Sequence, residues 1–241
     1  MGTSGRSDDE HVREWAELHA TDPPGGFVGG WLRASAAVAR PLARAGVSPN
    51  TVTVAALVAA LAALPALLVD GWAGPALACA AVTLSGLLDA LDGAVAVQAG
   101  RTTRVGYLLD SALDRVADAA FPVALAVVAG APPALAVAAA AAAWYLEYVR
   151  ARANLALAPG ERGRQVVTPG ERPTRIVLTA VGLGLPFLAG PALWAHVVVV
   201  GGSALFLLGH SVRRLHGLDR LDRPGPASEP PPPPPPPLPG A

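Results

Sequence analysis

The sequence predicts an all-α integral membrane protein with six transmembrane helices preceded by an interfacial amphipathic helix. The 241-residue chain is 52% hydrophobic and only 15% charged, and its mean hydropathy is +0.43, whereas soluble domains are typically about 25% charged. Several uncharged stretches approach or exceed the roughly 18–20 residues that cross a bilayer core. The alternative, a soluble Ala-rich bundle, needs a polar face on most of its helices. These stretches have no such face, which favours the membrane.

The N-terminal region divides into two predicted segments. Residues 1–25 are charged and interrupted by Gly and Pro, which predicts a disordered tail. Residues 26–45 place apolar side chains at helical spacing, with Arg33, Arg40 and Arg44 on one side. This pattern is typical of a helix lying in the membrane interface with its arginines towards the lipid head groups.

Six spans are predicted within a domain covering residues 46–215. Ser48 and Pro49 begin the first, as N-cap and first helical residue. The apolar stretch 176–212 would be about 55 Å long as one helix, against a core of about 30 Å, so Pro186 and Gly190 are expected to divide it. The predicted spans are approximately residues 50–69, 72–97, 103–128, 134–153, 176–189 and a sixth ending near 212.

Arginine placement predicts the orientation of these spans. Arginines precede the first span, lie between the second and third and between the fourth and fifth, and follow the sixth. The connections "DGWAG", "GAPP" and "AGP" contain none. By the positive-inside rule, this alternation predicts a multi-pass protein of the cell membrane with both termini in the cytoplasm. Residues 216–241 form a Pro-rich segment, predicted to be a disordered tail that acts as a spacer or as a docking site for a Pro-binding domain.

Overall charge and cysteine content exclude some classes of function. The formal net charge is zero, so no general field indicates a nucleic-acid partner. Cys79 is the only cysteine, which excludes an intrachain disulfide and a Cys-based metal site.

Four aspartates lie at the cytoplasmic ends of the second and third predicted spans. Asp89 and Asp92 share a helix face at i, i+3 spacing, and Gly106, Asp110 and Asp114 form a stripe at i, i+4, i+8. The short connection between the two spans predicts that they lie antiparallel and adjacent. Their aspartates are then expected to face each other across a cleft near the membrane surface.

Four neighbouring carboxylates cannot all stay ionised without a counter-charge, so they bind either protons or cations. Oxygen-only ligation suits Mg²⁺ or Mn²⁺, and two such ions about 4 Å apart could clamp a phosphoryl centre. Small residues at positions 93, 96 and 106 leave room for a bulky ligand. The alternative is a transporter or channel that uses intramembrane carboxylates for cations or protons.

The spacing of these residues resembles the signature of the CDP-alcohol phosphotransferases. The pattern is Asp89-x-x-Asp92-Gly93-x-x-Ala96, then Gly106-x-x-x-Asp110-x-x-x-Asp114. The resemblance implies a six-span fold, a homodimer and a cytoplasmic site with two Mg²⁺ or Mn²⁺ ions. It also implies transfer of a substituted phosphate, such as phosphatidyl, from a CDP-alcohol lipid such as CDP-diacylglycerol to an acceptor hydroxyl, with release of CMP.

The same resemblance implies roles for individual residues. The metal ligands would be Asp89, Asp92, Asp110 and Asp114, and Asp114 would also be the catalytic base. The CDP-alcohol would contact Asn50, Thr51, Val52, Thr53, Gly93, Ala96, Thr103 and Gly106.

Val97 departs from the family pattern, which usually has an Arg directly after the Ala of the first half-signature. That Arg is expected to help to hold the donor's phosphates. Arg101 or Arg104 could reach the same phosphates from the following connection. The alternative is a catalytically impaired relative with a binding or regulatory role.

Three further stretches resemble the actinobacterial phosphatidylinositol phosphate synthases, and the resemblance as a whole covers about residues 35–217. They are "YVRARANLAL", "GERPTRIVLTAVG" and "VRRLH". The resemblance implies that Arg150 (where Lys is usual), Arg175 and Arg214 bind the phosphate of the acceptor. Inositol phosphate is therefore the expected acceptor, and glycerol phosphate, as in a phosphatidylglycerophosphate synthase, is the alternative.

Overall fold

The computed structural model describes residues 26–157 and 166–221, together with Arg13 and Ala16. The remainder of the predicted tails lies outside the described residues. Within the described ranges the chain is helical and contains no strand. The helices are α1 (Gly26–Arg44), α2 (Pro49–Ala66), α3 (Ala73–Ala99), α4 (Arg104–Ala129), α5 (Pro133–Ala156), α6 (Arg172–Gly184), α7 (Ala189–Ala195) and α8 (Gly201–Leu221).

Local sequence signals explain where α2 to α5 begin and end. Ser48 is the extended N-cap residue of α2, and Pro49 follows it at the first helical position. Gly100 and Gly130 close α3 and α4 in the left-handed conformation, with φ of 60° and 61°, which glycine adopts at little cost. The Thr103 hydroxyl caps α4 by accepting a hydrogen bond from the Gly106 amide at 3.0 Å.

The last apolar stretch is divided at Pro186 as predicted, whereas Gly190, the other expected break, lies in the first turn of α7. Helix α6 ends at Gly184, and a 3₁₀ turn over Pro186–Leu188 leads into α7. A π-helical turn, His196–Val200, joins α7 to α8. Three boundaries differ from the prediction, the first being the end of α6 at Gly184 instead of near residue 189. Helix α6 begins at Arg172 rather than near residue 176, because Pro173 favours the first turn of a helix; and α8 continues to Leu221, past the boundary expected after residue 215.

The interior combines small apolar residues with charged ones. Ala60, Ala78 and Ala124 are fully buried in the main core, and such small residues let helices pack closely. Arg175 is also buried, whereas many large apolar side chains are exposed, among them Trp72 at 83%. Polar groups inside and apolar groups outside are the distribution expected of a membrane protein.

Three described helical segments are long and apolar enough to cross a membrane: Pro49–Ala66, Ala73–Ala99 and Pro186–Leu218. The α4 and α5 segments carry more polar and charged side chains, and α6 has only 13 residues. The described chain is therefore an all-helical membrane protein in which α4 and α5 carry more charge than the three apolar segments, although Ala73–Ala99 also carries Asp89 and Asp92.

Helices α3 and α4 meet less closely than predicted. They make little direct backbone contact, and each packs more extensively against α2 and α6. Their aspartates do face each other, as described below. The expected cleft is therefore framed by α2 and α6 rather than closed by the packing of α3 on α4.

Candidate metal and phosphate site

Three of the four signature aspartates form a compact cluster. One carboxylate oxygen from each of Asp89, Asp92 and Asp110 lies within 4.8 Å of the others, so α3 and α4 converge at this point. Asp92 is only 7% exposed, and its Oδ2 is buried without a hydrogen-bond partner among the described residues. Such an unsatisfied oxygen is costly unless a cation compensates for it. The cluster therefore fits a hard divalent cation, which prefers oxygen ligands.

The fourth aspartate, Asp114, lies beside this cluster and is joined to it through an arginine. Arg172 Nη1 contacts Asp114 Oδ1, and its Nη2 lies 3.2 Å from Asp89 Oδ1. Arg115 is a second cation near Asp114, with its Nη2 3.7 Å from Asp114 Oδ2. Asp114 thus faces guanidinium groups, whereas Asp92 and Asp110 face other carboxylates.

The residues expected to meet the donor lie at the adjoining ends of α2 and α4. A Cβ on Gly106 would lie 3.1 Å from both Asn50 Oδ1 and Thr103 Oγ1, so these three residues are in close contact. A larger residue at position 106 would disturb both side chains. The structure therefore brings Asn50, Thr103 and Gly106 together.

The other expected donor residues differ in accessibility. Thr51 and Gly93 are exposed and Ala96 is half-buried, whereas Val52 and Thr53 are buried. A Cβ on Gly93 would have no neighbour within 4 Å, so open space lies over this part of α3. The Thr53 hydroxyl donates to the Pro49 carbonyl at 3.1 Å. Val52 and Thr53 therefore form the wall behind this region rather than its surface.

Arg175 lies in a buried ion-pair network. Its side chain is 1% exposed; Nη1 lies 2.6 Å from Asp118 Oδ2, and Nη2 lies 3.0 Å from Glu147 Oε1. Arg115 joins the same carboxylates, at 3.4 Å from Asp118 and 3.5 Å from Glu147. Buried charges require such partners, because the desolvation of an unpaired charge costs several kcal/mol (about 3–5 when one partner is removed).

Arg150 and Arg214 line a common pocket between α5 and α8. Arg150 Nη1 lies 3.0 Å from Glu147 Oε2, and its Nη2 lies 2.6 Å from Glu171 Oε1. Arg175 is not among the residues that line the pocket, although it shares Glu147 with Arg150. The structure thus brings two of the three expected phosphate-binding arginines to one pocket and places the third behind a shared carboxylate.

Several residues of this network were not predicted from the sequence: Arg115, Asp118, Glu147, Glu171 and Arg172. One of them had a visible signal, because Asp118 continues the i, i+4 stripe of Asp110 and Asp114 by one more step. Glu171 and Arg172 stand in the stretch "GERPTRIVLTAVG", but of that stretch only Arg175 was predicted to belong to the site. Nothing in the local sequence of Arg172 indicates that it reaches Asp89, which is distant along the chain.

Known proteins resemble this chain over most of its length. A family model described as CDP-alcohol phosphatidyltransferase matches residues 46–207. An archaetidylinositol phosphate synthase of Aeropyrum pernix is 39% identical over 145 residues, which cover 60% of this chain and 72% of that protein. A phosphatidylinositol phosphate synthase of Mycolicibacterium smegmatis is 33% identical over 203 residues, which cover 78% of this chain and 87% of that protein.

Solved structures agree with these relatives. The crystal structure of Mycobacterium tuberculosis phosphatidylinositol phosphate synthase with CDP-DAG bound matches with a TM-score of 0.56 and 28% identity, over 76% of this chain and 94% of that one. The same enzyme in complex with manganese and citrate matches with a TM-score of 0.56 and 26% identity, over 76% of this chain and 88% of that one. The family model spans more than half of the chain, and its match includes the aspartate cluster. This chain therefore belongs to the CDP-alcohol phosphatidyltransferase family.

Proposed function

We propose that this enzyme transfers the phosphatidyl group of CDP-diacylglycerol to a hydroxyl of inositol phosphate and releases CMP. The acceptor oxygen forms a bond to the phosphatidyl phosphorus as the bond from that phosphorus to CMP breaks. The observation that carries the proposal is the aspartate cluster of α3 and α4 together with the arginine-lined pocket of α5 and α8. Relatives named phosphatidylinositol phosphate synthase, one of them solved with CDP-DAG bound, support the choice of substrates.

In this proposal the four signature aspartates hold two Mg²⁺ or Mn²⁺ ions. The buried, unpartnered oxygen of Asp92 and the manganese complex of the relative support a divalent cation here. When bound, the ions would neutralise the negative charge of the diphosphate and of the departing CMP. The donor's nucleotide would lie against Asn50, Thr51, Thr103 and Gly106, over the open surface beside Gly93 and Ala96, with Val52 and Thr53 behind it.

The acceptor would enter through the pocket between α5 and α8. Arg150 and Arg214 would bind its phosphate, since guanidinium groups can bind phosphate bidentately. Arg175 would act behind them by holding Glu147, the carboxylate that it shares with Arg150. Asn154 and Ser211 line the same pocket and offer hydrogen bonds to polyol hydroxyls.

The pocket and the aspartates are connected through one short segment. Glu171, which binds Arg150, directly precedes Arg172, which binds Asp114. An acceptor phosphate held at Arg150 would therefore lie close to the segment that contacts Asp114. Asp114 would take the proton of the attacking hydroxyl once it has separated from Arg172.

We further propose that the enzyme crosses the cell membrane six times, with both termini and the site in the cytoplasm, and acts as a homodimer. The spans would be α2, α3, α4, α5, α6 and the run of α7 with α8, while α1 lies in the interface. The alternation of arginine-rich and arginine-free connections supports this arrangement.

An acceptor panel tests the proposed reaction. Purified protein with CDP-diacylglycerol and Mn²⁺ is given inositol phosphate, glycerol phosphate, inositol or serine, and the release of radiolabelled CMP is measured. We expect turnover with inositol phosphate, and Arg214→Gln is expected to raise its KM roughly tenfold or more, because a charge-assisted hydrogen bond is lost. The matched control is Arg152→Gln, which removes an exposed charge two residues from Arg150, at the end of α5 that lines the pocket. Preference for glycerol phosphate or for an unphosphorylated acceptor would contradict the assignment.

A further inference from the structure

Arg172 contacts two of the aspartates that are proposed to hold metal. Its guanidinium touches Asp114 of α4 and lies 3.2 Å from Asp89 of α3, and its side chain is only 11% exposed. We propose that Arg172 is an internal counter-cation, which holds Asp89 and Asp114 when no metal is bound and has to leave them when a divalent cation binds. This inference rests on the proposed metal site and adds a residue that sets its affinity.

The backbone of Arg172 is held in place by the contacts that the residues directly before it make with α5 and α8. Glu171 Oε1 accepts hydrogen bonds from Arg150 at 2.6 Å and from the Thr168 amide at 2.9 Å. The Gly170 amide donates to Ser203 Oγ of α8 at 2.9 Å, in a buried contact. Because α5 and α8 both anchor this segment, the exchange is expected to involve the Arg172 side chain and not its backbone.

Asp89 and Asp114 cannot bind a divalent ion and the Arg172 guanidinium tightly at the same time. A divalent ion bound to Asp89 and Asp114 would repel a guanidinium held at the same oxygens. Metal therefore binds only the fraction of molecules in which Arg172 has moved away, and the apparent affinity falls in proportion to that fraction. Arg172 Nε is buried without a hydrogen-bond partner among the described residues, so the guanidinium is incompletely satisfied in this position. A phosphate-bearing substrate would offer it better partners.

The direct test measures Mn²⁺ binding to the full chain in detergent, by electron paramagnetic resonance and without substrate. Arg172→Gln removes the competing charge, so its apparent Kd for Mn²⁺ is expected to fall roughly tenfold or more. Arg172→Lys keeps the charge but cannot bridge two carboxylates as a guanidinium does, so a smaller decrease is expected. Arg152→Gln, with the same charge change on an exposed residue, is expected to bind Mn²⁺ as the unaltered protein does.

Thermal unfolding supplies a second readout. In EDTA, Arg172→Gln is expected to unfold at a lower temperature, because Asp89 and Asp114 lose the guanidinium that joins them. Saturating Mn²⁺ is then expected to raise the unfolding temperature of this variant by more than it raises that of the unaltered protein. A merely structural arginine would lower the unfolding temperature equally in EDTA and in Mn²⁺.

The possible outcomes separate this inference from the proposed function. If the unaltered protein binds Mn²⁺ but both Arg172 variants bind it equally or more weakly, the counter-cation role is wrong and the proposed transferase stands. If the unaltered protein binds no Mn²⁺, both proposals are wrong. Arg172→Lys keeps the test decisive should Arg172→Gln fail to fold.

Discussion

Asp114 differs from the other signature aspartates in its contacts. It lies outside the compact cluster of Asp89, Asp92 and Asp110 and faces Arg172 and Arg115. We therefore expect Asp114→Asn to reduce turnover by several orders of magnitude while weakening Mn²⁺ binding less than Asp89→Asn does. CMP release and Mn²⁺ titration on the same preparations measure the two effects. Equal loss of metal by both variants would show that Asp114 is mainly a ligand.

Val97 stands where the family usually has an arginine, and it is 4% exposed, whereas Arg101 is exposed. An arginine introduced at position 97 would have to displace its neighbours before it could reach a ligand. We expect Val97→Arg to lower the unfolding temperature without lowering the KM for CDP-diacylglycerol. We expect Arg101→Ala to raise that KM roughly tenfold, as the loss of a charge-assisted contact to phosphate would. Donor kinetics and thermal unfolding of both variants measure this, with Arg152→Ala as the control.

A lower KM in Val97→Arg, with stability unchanged, would contradict this account. It would mean that position 97 can deliver a guanidinium to the donor.

At the level of the elements, the segment before α6 packs closely against Val200 and Ser203 at Gly170. A Cβ on Gly170 would lie 2.9 Å from Ser203 Oγ and 3.0 Å from the Val200 Cα, closer than such atoms normally approach. We expect Gly170→Ala to displace this segment, to lower stability by about 1–3 kcal/mol as overpacking does, and to reduce activity through Arg172. Gly202→Ala is the matched control, because a Cβ there meets nothing within 4 Å and alanine favours a helix. Thermal unfolding that is the same for both variants would contradict the prediction.

The helices could be predicted from the sequence because their boundaries depend on nearby residues. Pro49, Thr103, Gly100 and Gly130 act within one helical turn, and the observed α2 to α5 begin or end within a few residues of the expected positions. The aspartate cluster could be predicted for the same reason, since the i, i+3 and i, i+4 spacings fix a helix face. The contacts of Arg172 and Arg175 could not be predicted, because they join helices far apart along the chain.

For the molecule as a whole, the orientation in the membrane gives a prediction. In a Cys79→Ala background, a cysteine at Asp70, in the connection between α2 and α3, is expected to react with a membrane-impermeant maleimide added to intact cells. A cysteine at Thr102, between α3 and α4, is expected to react only in inverted vesicles. Both positions are exposed, and the Cys79→Ala parent controls for background. The reverse labelling pattern would overturn the proposed cytoplasmic site.

The charges carried by α4 have a consequence for how the protein is made. In the proposed six-span arrangement, α4 carries Asp110 and Asp114 towards its cytoplasmic end and Asp118 near its middle, and a charge near the centre of a span costs about 2.5–3.5 kcal/mol during insertion. Releasing α4 into lipid alone is therefore unfavourable. Asp118 has Arg115 of the same helix at 3.4 Å, but its nearer partner, Arg175 at 2.6 Å, is added only when α6 is synthesised. We expect α4 to stay beside the translocon, in contact with α2, until Arg175 has been synthesised.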